Sequence, residues 1–458
     1  MMFYSLILTF LTIIPPAGGV EVAFAFTSDA ILQRDRAIPV WGTSTTDGVV
    51  TITLAGSTLK ANAVDGRWAV VFEAFPAGGP HTMRIESDTV VMFENILFGD
   101  VWIAGGQSNM EWRLEEPLTS RNPNIRYMHI PFAMSDTPQR DSESTGWTLL
   151  DEESAKNISA VAYYFASMVQ DSLDIPIGII QSFKGATRSE SWTPANAIRL
   201  DPDFESINAR GQRDTDAPSV LYNAMIHPIT PIPAQGVIWY QGEGNAFYAH
   251  QYRRTFQTLI RSWRDAWNDP ALDFYFVQLA NFKAKQVNPV EAHSWPEVRE
   301  AQRMALTLPR TGMAVALDVG EADDIHPRDK KSVGHRLARQ ALWKTYGWKI
   351  VQGGPEVADV IFDGPEAWIR LFPNQSETVL LDVFPNGFAI AGEDRVFHWA
   401  HARLEGNDIV LHAPEVSKAV AVRYAWADNP ILSLFNKEGL PASSFRTDDW
   451  PGVTISNR

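Results

Sequence analysis

Side chains suited to acyl transfer occur in four short blocks, each directly behind an apolar, strand-like run. Gly105-Gly106-Gln107-Ser108-Asn109-Met110 follows residues 101–104, and Gln181-Ser182-Phe183-Lys184-Gly185-Ala186-Thr187 follows 177–180. Gln241-Gly242-Glu243-Gly244-Asn245 follows 236–240, and Gly320-Glu321-Ala322-Asp323-Asp324-Ile325-His326-Pro327 follows 313–317. A serine hydroxyl is a weak nucleophile until a base lies within hydrogen-bond reach. His326 can take the Ser108 proton and later return it to a leaving alcohol. A carboxylate would fix the imidazole tautomer and stabilise its cation, and Asp323 and Asp324 are the nearest acids in sequence. Charge developing on a carbonyl oxygen needs donors. A helix beginning at Ser108 would aim backbone N–H groups at it. Gly185 permits close main-chain approach, and Asn245 could add a side-chain N–H.

The elements that must position these groups are also legible. The runs at 101–104, 177–180, 236–240, 274–277 and 313–317 suit parallel strands buried on both faces. Between them, Val161, Phe165, Met168 and Val169 repeat at helical spacing, as do Tyr252, Phe256, Leu259, Ile260, Trp263 and Trp267. A further helix begins near Lys330, with Val333, Leu337 and Ala341 on one side. The alternation predicts an α/β fold over 99–354: a doubly wound parallel sheet with helices on both faces and ligands beyond the carboxyl ends of its strands. Residues 21–98 predict an N-terminal β-sandwich-like domain: 50–54 alternate apolar and polar, and Trp68, Val70 and Phe72 share one face. Residues 355–458 predict a second β-domain, with strands near 408–412 and 419–424.

Composition narrows the partners. The 458 residues include 39 basic and 54 acidic side chains, a net charge of −15, which argues against nucleic acid. There is no cysteine, so thiolate zinc sites, a cysteine nucleophile and a lipoprotein anchor are excluded. No nucleotide-binding glycine motif and no His-Glu-x-x-His occurs, and His398 and His401 read as surface or packing residues. Neither cofactor nor metal is expected. The apolar run at 3–14 is too short to span a bilayer, and with Ala17-Gly18-Gly19 behind it residues 1–20 fit a secretory signal, although no basic residue precedes the run. An exported protein is therefore expected.

The block Gly106-Gln107-Ser108-Asn109-Met110-Glu111-Trp112 resembles the nucleophile block of the sialate O-acetylesterase family, within the SGNH (GDSL-like) hydrolase superfamily. The likeness continues through Trp192-Thr193-Pro194, 221–226, Trp239-Tyr240-Gln241-Gly242-Glu243 and Asp324-Ile325-His326-Pro327, and reaches Ile31-Leu32-Gln33-Arg34, 422–426 and 439–442. It implies an SGNH-type fold, Ser108 as nucleophile, His326 as base, and the Ser108 and Gly185 N–H groups with Asn245 as oxyanion donors. Superfamily spacing selects Asp323 as the acid. The family's own Asp-Ile-His-Pro string offers Asp324, and Glu243 is a third candidate. Gln107, Trp112, Arg113, Arg188, Trp192, Gln241 and Glu243 are expected to contact substrate, with Arg113 or Arg188 facing a substrate carboxylate. The family often has Trp-Gly-Gly-Thr where this chain has Lys184-Gly185-Ala186-Thr187. The implied activity is removal of O-acetyl groups from carbohydrate, 9-O-acetylated sialic acid first and acetylated xylan or other plant polysaccharide second. A non-catalytic carbohydrate-binding protein on an esterase fold is the alternative from another class.

Overall fold

The structure, a computed structural model, describes residues 19–118, 122–199, 201–209, 214–373 and 376–457. The apolar run expected to be a signal lies outside the described residues. The centre is a parallel sheet of six strands: β1 (Val90–Gly106), β2 (Ile125–His129), β3 (Ile177–Phe183), β4 (Gly236–Tyr240), β5 (Asp273–Gln278) and β6 (Thr311–Val315), in the order β2-β3-β1-β4-β5-β6. The five expected runs each lie in one of these strands or overlap it. Strand β2 was not expected, because Arg126 interrupts its apolar pattern. That guanidinium is buried and satisfied, donating to the carbonyls of Pro123 and Asn95 and to the Asn95 side chain.

Helices cover both faces of the sheet. Trp102 of β1 packs on Phe165 of α2 (Ala160–Leu173) and on Tyr275 of β5. Phe274 and Phe276, one residue either side of Tyr275, point the other way. They pack on Phe256 of α3 (Ala249–Ala266). A helix from Trp295 to Met304 (α4) packs on α3, and one from Lys330 to Lys344 (α5) packs on α2. At Gly334 of α5 an added Cβ would stand 2.7 Å from Tyr164 Cβ and from the Val161 carbonyl, so glycine is what lets these two helices approach. A short helix α1 (Ser108–Glu111) leaves the end of β1.

The flanking regions are antiparallel. Val20–Val22, Ile38–Ser44 and Arg67–Phe72 form one sheet, with Trp68, Val70 and Phe72 buried as their alternation predicts. Strand β1 is continuous across 98/99, the expected boundary. Its first half pairs antiparallel with Gly78–Glu86 and its second half is the middle of the parallel sheet. Buried Asp100, near that junction, receives Arg34, Gln33 and the Tyr346 hydroxyl. Beyond α5 the chain forms further antiparallel sheets around a separate core that includes Ile369, Phe388, Ile409 and Tyr424. Arg299 of α4 docks this region, donating to the carbonyls of Leu279 and Ala280 on one side and Ala427 and Asp428 on the other.

Candidate active site

The nucleophile turn is built by close packing of strand ends. Gly106 has φ 140°, and a Cβ there would lie 2.1 Å from the Tyr240 carbonyl, so only glycine fits. The chain then turns into α1, whose cap, Gln107, offers no side-chain hydrogen bond to the first turn. The Met110 and Glu111 N–H groups donate to the Gln107 carbonyl, which leaves the Ser108 and Asn109 N–H groups for other acceptors among the described residues. The Gln107 side chain instead accepts from the backbone N–H groups of Gly242 (3.4 Å) and Gly244 (3.2 Å), tying this turn to the loop behind β4.

Gly185, behind β3, stands against the serine. A Cβ there would be 3.4 Å from Ser108 Cβ and 3.2 Å from Glu111 Oε2. Its N–H donates to Glu111 Oε2 at 2.7 Å, so this donor already holds a carboxylate oxygen beside Ser108. Ala186 follows at φ 58°, a conformation that favours glycine.

His326 lies on the loop behind β6. Its Nδ1 is 3.2 Å from Asp324 Oδ1, and its backbone N–H donates to the same oxygen at 2.9 Å. That backbone bond holds the Asp324 carboxyl below its usual range. The imidazole stacks on the Trp112 ring, with centroids 5.6 Å apart. Asp323 is exposed, and among the described residues it has no hydrogen bond or ion pair. The geometry therefore favours Asp324 over Asp323, because the side chain two residues before the histidine folds back onto its ring. Among the described residues the Ser108 hydroxyl makes no hydrogen bond to His326. Such contacts commonly tighten only when substrate binds.

Several residues expected at the substrate are scaffold instead. Trp192 is 0% exposed, donates to Thr187 Oγ1 and packs edge-on against Trp239. Gln241 is equally enclosed, bonded to Asn245, the Thr187 carbonyl and the Tyr252 hydroxyl. Substrate contact by these two side chains is corrected, since neither reaches a surface; buried Gln107 likewise faces the neighbouring loop. Asn245 is also buried: Nδ2 donates to Glu190, and Oδ1 accepts from Ser189 N–H and Gln241. One of its two amide hydrogens is thereby committed. Glu243 sits with its carboxylate enclosed, Oε1 accepting from Asn109 and Oε2 without a partner, and burial pushes its carboxyl up.

The two arginines differ. Arg188 lies 3.7 Å from Asp216 and over the Tyr248 ring. Arg113 is half-buried over Phe183, donates to the Asn157 carbonyl, and among the described residues has no carboxylate at ion-pair distance. It lines a cavity of about 500 Å³ beside β2, with Tyr127, His129 and Asn157 and the acidic Asp151 and Glu153. His129 there is pushed down to about 4 by burial, hence neutral at pH 7. On the other side of Gly185, the Lys184 ammonium stands 4.6 Å over the exposed Phe132 ring.

Sequence reasoning missed Asn109, Glu111 and Lys330. The available signal was Lys330 itself: a basic residue in the first turn of a helix, where the macrodipole opposes it.

A parallel α/β sheet that gathers a serine, an imidazole–carboxylate pair and a main-chain donor on one rim describes an ester hydrolase. Residues 98–343 match the family described as carbohydrate esterase, sialic acid-specific acetylesterase, and the chain belongs to that family. It is a carbohydrate acetylesterase. A carbohydrate acetylesterase from Xanthomonas citri is similar in structure: TM-score 0.88 and 36% identity, covering 94% of this chain and 100% of that one. The human sialate O-acetylesterase is 29% identical over 76% of this chain and 74% of its own. The mouse enzyme is 26% identical over 93% of each. Among the described residues no helix is long and apolar enough to cross a membrane.

Proposed function

We propose that the chain is an SGNH-type serine esterase in which Ser108 attacks the acetyl carbonyl. His326 takes the hydroxyl proton, and Asp324 orients the ring and stabilises its cation. The Gly185 N–H passes from Glu111 to the carbonyl oxygen as charge develops there, joined by the Ser108 N–H; Asn245, enclosed and donating to Glu190, would reach that oxygen only with its second amide hydrogen. The tetrahedral intermediate collapses, the sugar hydroxyl leaves with the proton from His326, and an acetyl-enzyme remains. Water activated by His326 then releases acetate and restores Ser108. No cofactor enters this scheme. The observation that carries the reading is the His326–Asp324 pair on the same rim as a serine whose neighbour, Gly185, already donates to a carboxylate oxygen.

The substrate we propose is O-acetylated sialic acid, the 9-O-acetyl form first. The Arg113 guanidinium at the cavity beside β2, which among the described residues has no carboxylate at ion-pair distance, supports it, since a sugar carboxylate matches a guanidinium fork. Acetylated plant polysaccharide is the second reading, favoured by Lys184 and the exposed Phe132, which offer a neutral sugar a stacking face. Acetate release from 9-O-acetylated sialic acid and from acetylated xylan, side by side with Ser108→Ala as blank, separates the two. Release from one only, lost in the variant, assigns the substrate. No release from either or from p-nitrophenyl acetate rejects the proposed serine-esterase scheme, and release that survives in Ser108→Ala rejects the assignment of Ser108. Export through the segment at 1–20 is likewise proposed, and N-terminal sequencing of the secreted chain tests it.

A further inference from the structure

A buried polar cluster lies behind the nucleophile turn, and the acyl-transfer scheme does not use it. Asn109 Nδ2 donates to Glu243 Oε1 (2.6 Å) and to the Ile325 carbonyl (3.1 Å), and its Oδ1 accepts from Lys330 Nζ (2.5 Å). One side chain thus joins α1, the loop behind β4, the backbone next to His326 and the first turn of α5. Lys330 is 2% exposed. Its ammonium lies 5.4 Å from the centroid of Trp112, the ring that also stacks on His326, and 5.8 Å from that of Tyr240. Burying an ammonium at a helix N-terminus is unfavourable twice, by desolvation and by the helix dipole. Glu243 is the compensating charge, and its Oε2 is enclosed without a hydrogen-bond partner.

We propose that Lys330 is a positioning residue: its ammonium, acting through Asn109 and balanced by Glu243, holds Ser108 and His326 in reacting register. This rests on Ser108 and His326 being nucleophile and base. Asn109 is the chain neighbour of the first, and Ile325 of the second. One side chain, that of Asn109, therefore ties the backbone beside both.

The charged groups facing Lys330 are Glu243 from behind β4, Asp324 and Glu321 from the loop carrying His326, and Glu115 from the segment after α1. Asp329 and Lys331 adjoin it on its own chain segment. Against the pull of these acids, burial brings the ammonium down to about 8. As pH rises through that value the charge is lost, and the bond to Asn109 loses its charge assistance.

The experiment is the pH dependence of kcat and KM for p-nitrophenyl acetate, from about pH 6 to about 10, in the full chain. Wild type, Lys330→Met, Lys330→Arg and Glu243→Gln are compared, with Ser108→Ala as blank. Wild-type kcat is expected to fall above about pH 8 with KM unchanged. Lys330→Met is expected to lower kcat at least about tenfold with KM within about twofold, a split that marks lost transition-state stabilisation rather than lost binding. Lys330→Arg restores part of kcat and abolishes the basic limb, since a guanidinium does not titrate there. Glu243→Gln keeps an acceptor for Asn109 but removes the attraction on the ammonium, so the limb moves to lower pH. Wild-type kcat in Lys330→Met, or an unmoved limb in Glu243→Gln, overturns the proposal. If Lys330→Met does not fold, the Glu243→Gln limb decides alone. Activity surviving in Ser108→Ala would instead reject the nucleophile assignment, whatever Lys330 does.

Discussion

Asp323 and Asp324 are adjacent in the chain, yet only Asp324 meets the imidazole. Removing the acid leaves the ring free to take the wrong tautomer, a loss of up to about 10⁴ in kcat where such triads have been dissected. Asp324→Asn is therefore expected to lower kcat by about 10²–10⁴, and Asp323→Asn to stay within about twofold; kcat for p-nitrophenyl acetate at fixed pH distinguishes them. Ala186 tests the backbone of the same rim. It is exposed, at φ 58°, and an L side chain there costs roughly 1 kcal/mol. Ala186→Gly is expected to stabilise by about that amount in denaturant titration. Any change in the preferred acetylated sugar would trace to that single methyl group.

The α2–α5 contact is the element on which the site leans. Lys330 starts α5 and His326 lies four residues before it, so a shift of α5 moves both. Gly334 meets the α2 backbone, which cannot rotate away as a flexible side chain would. Gly334→Val is expected to destabilise by about 1–3 kcal/mol through overpacking. Activity should drop further than the folded fraction does, measured as kcat per active site titrated with an acylating reagent. If kcat per site is unchanged, the position of α5 does not set the register of the dyad.

At the scale of the molecule, α4 holds the C-terminal sheets to the α/β region. Arg299 is fully buried and divides its donors between the two sides. Burial brings its guanidinium down to about 9. Glu297 accepts from the Val453 and Thr454 backbone and from the Thr454 hydroxyl, and Glu300 accepts from Arg446. Arg299→Met leaves the buried Leu279 and Ala427 carbonyls without donors, while Ala280 keeps the Trp295 indole N–H and Asp428 keeps the Phe282 N–H; the loss is about 1–3 kcal/mol for each group left unsatisfied. The C-terminal region is expected to melt before the rest, seen as a split calorimetric transition and early proteolysis between α5 and residue 357. A single unsplit transition at the wild-type temperature would show that α4 does not carry the docking.

How far the sequence reached follows from the range of each interaction. Apolar runs and helical spacing are local, so five of the six parallel strands and helices α2, α3 and α5 were legible, and so were the loops bearing Ser108, Gly185 and His326. Strand β2 and helix α4 were not. Each depends on a charged residue, Arg126 or Arg299, that is buried only because distant carbonyls receive it. Which acid meets His326, and which aromatic and amide side chains are enclosed, could be decided only in three dimensions. Trp192 and Trp112 both flank site motifs in sequence, but one packs into the tryptophan cluster behind β4 and the other onto the imidazole. The cluster of Asn109, Glu243 and Lys330 joins positions far apart in the chain. Residue types, short spacing and the family resemblance together pointed to ester hydrolysis and to the rim that bears the candidate groups. Tertiary packing decided which neighbours orient that chemistry, because a buried charge takes its partner from whatever the fold brings within reach, not from what is adjacent in the chain.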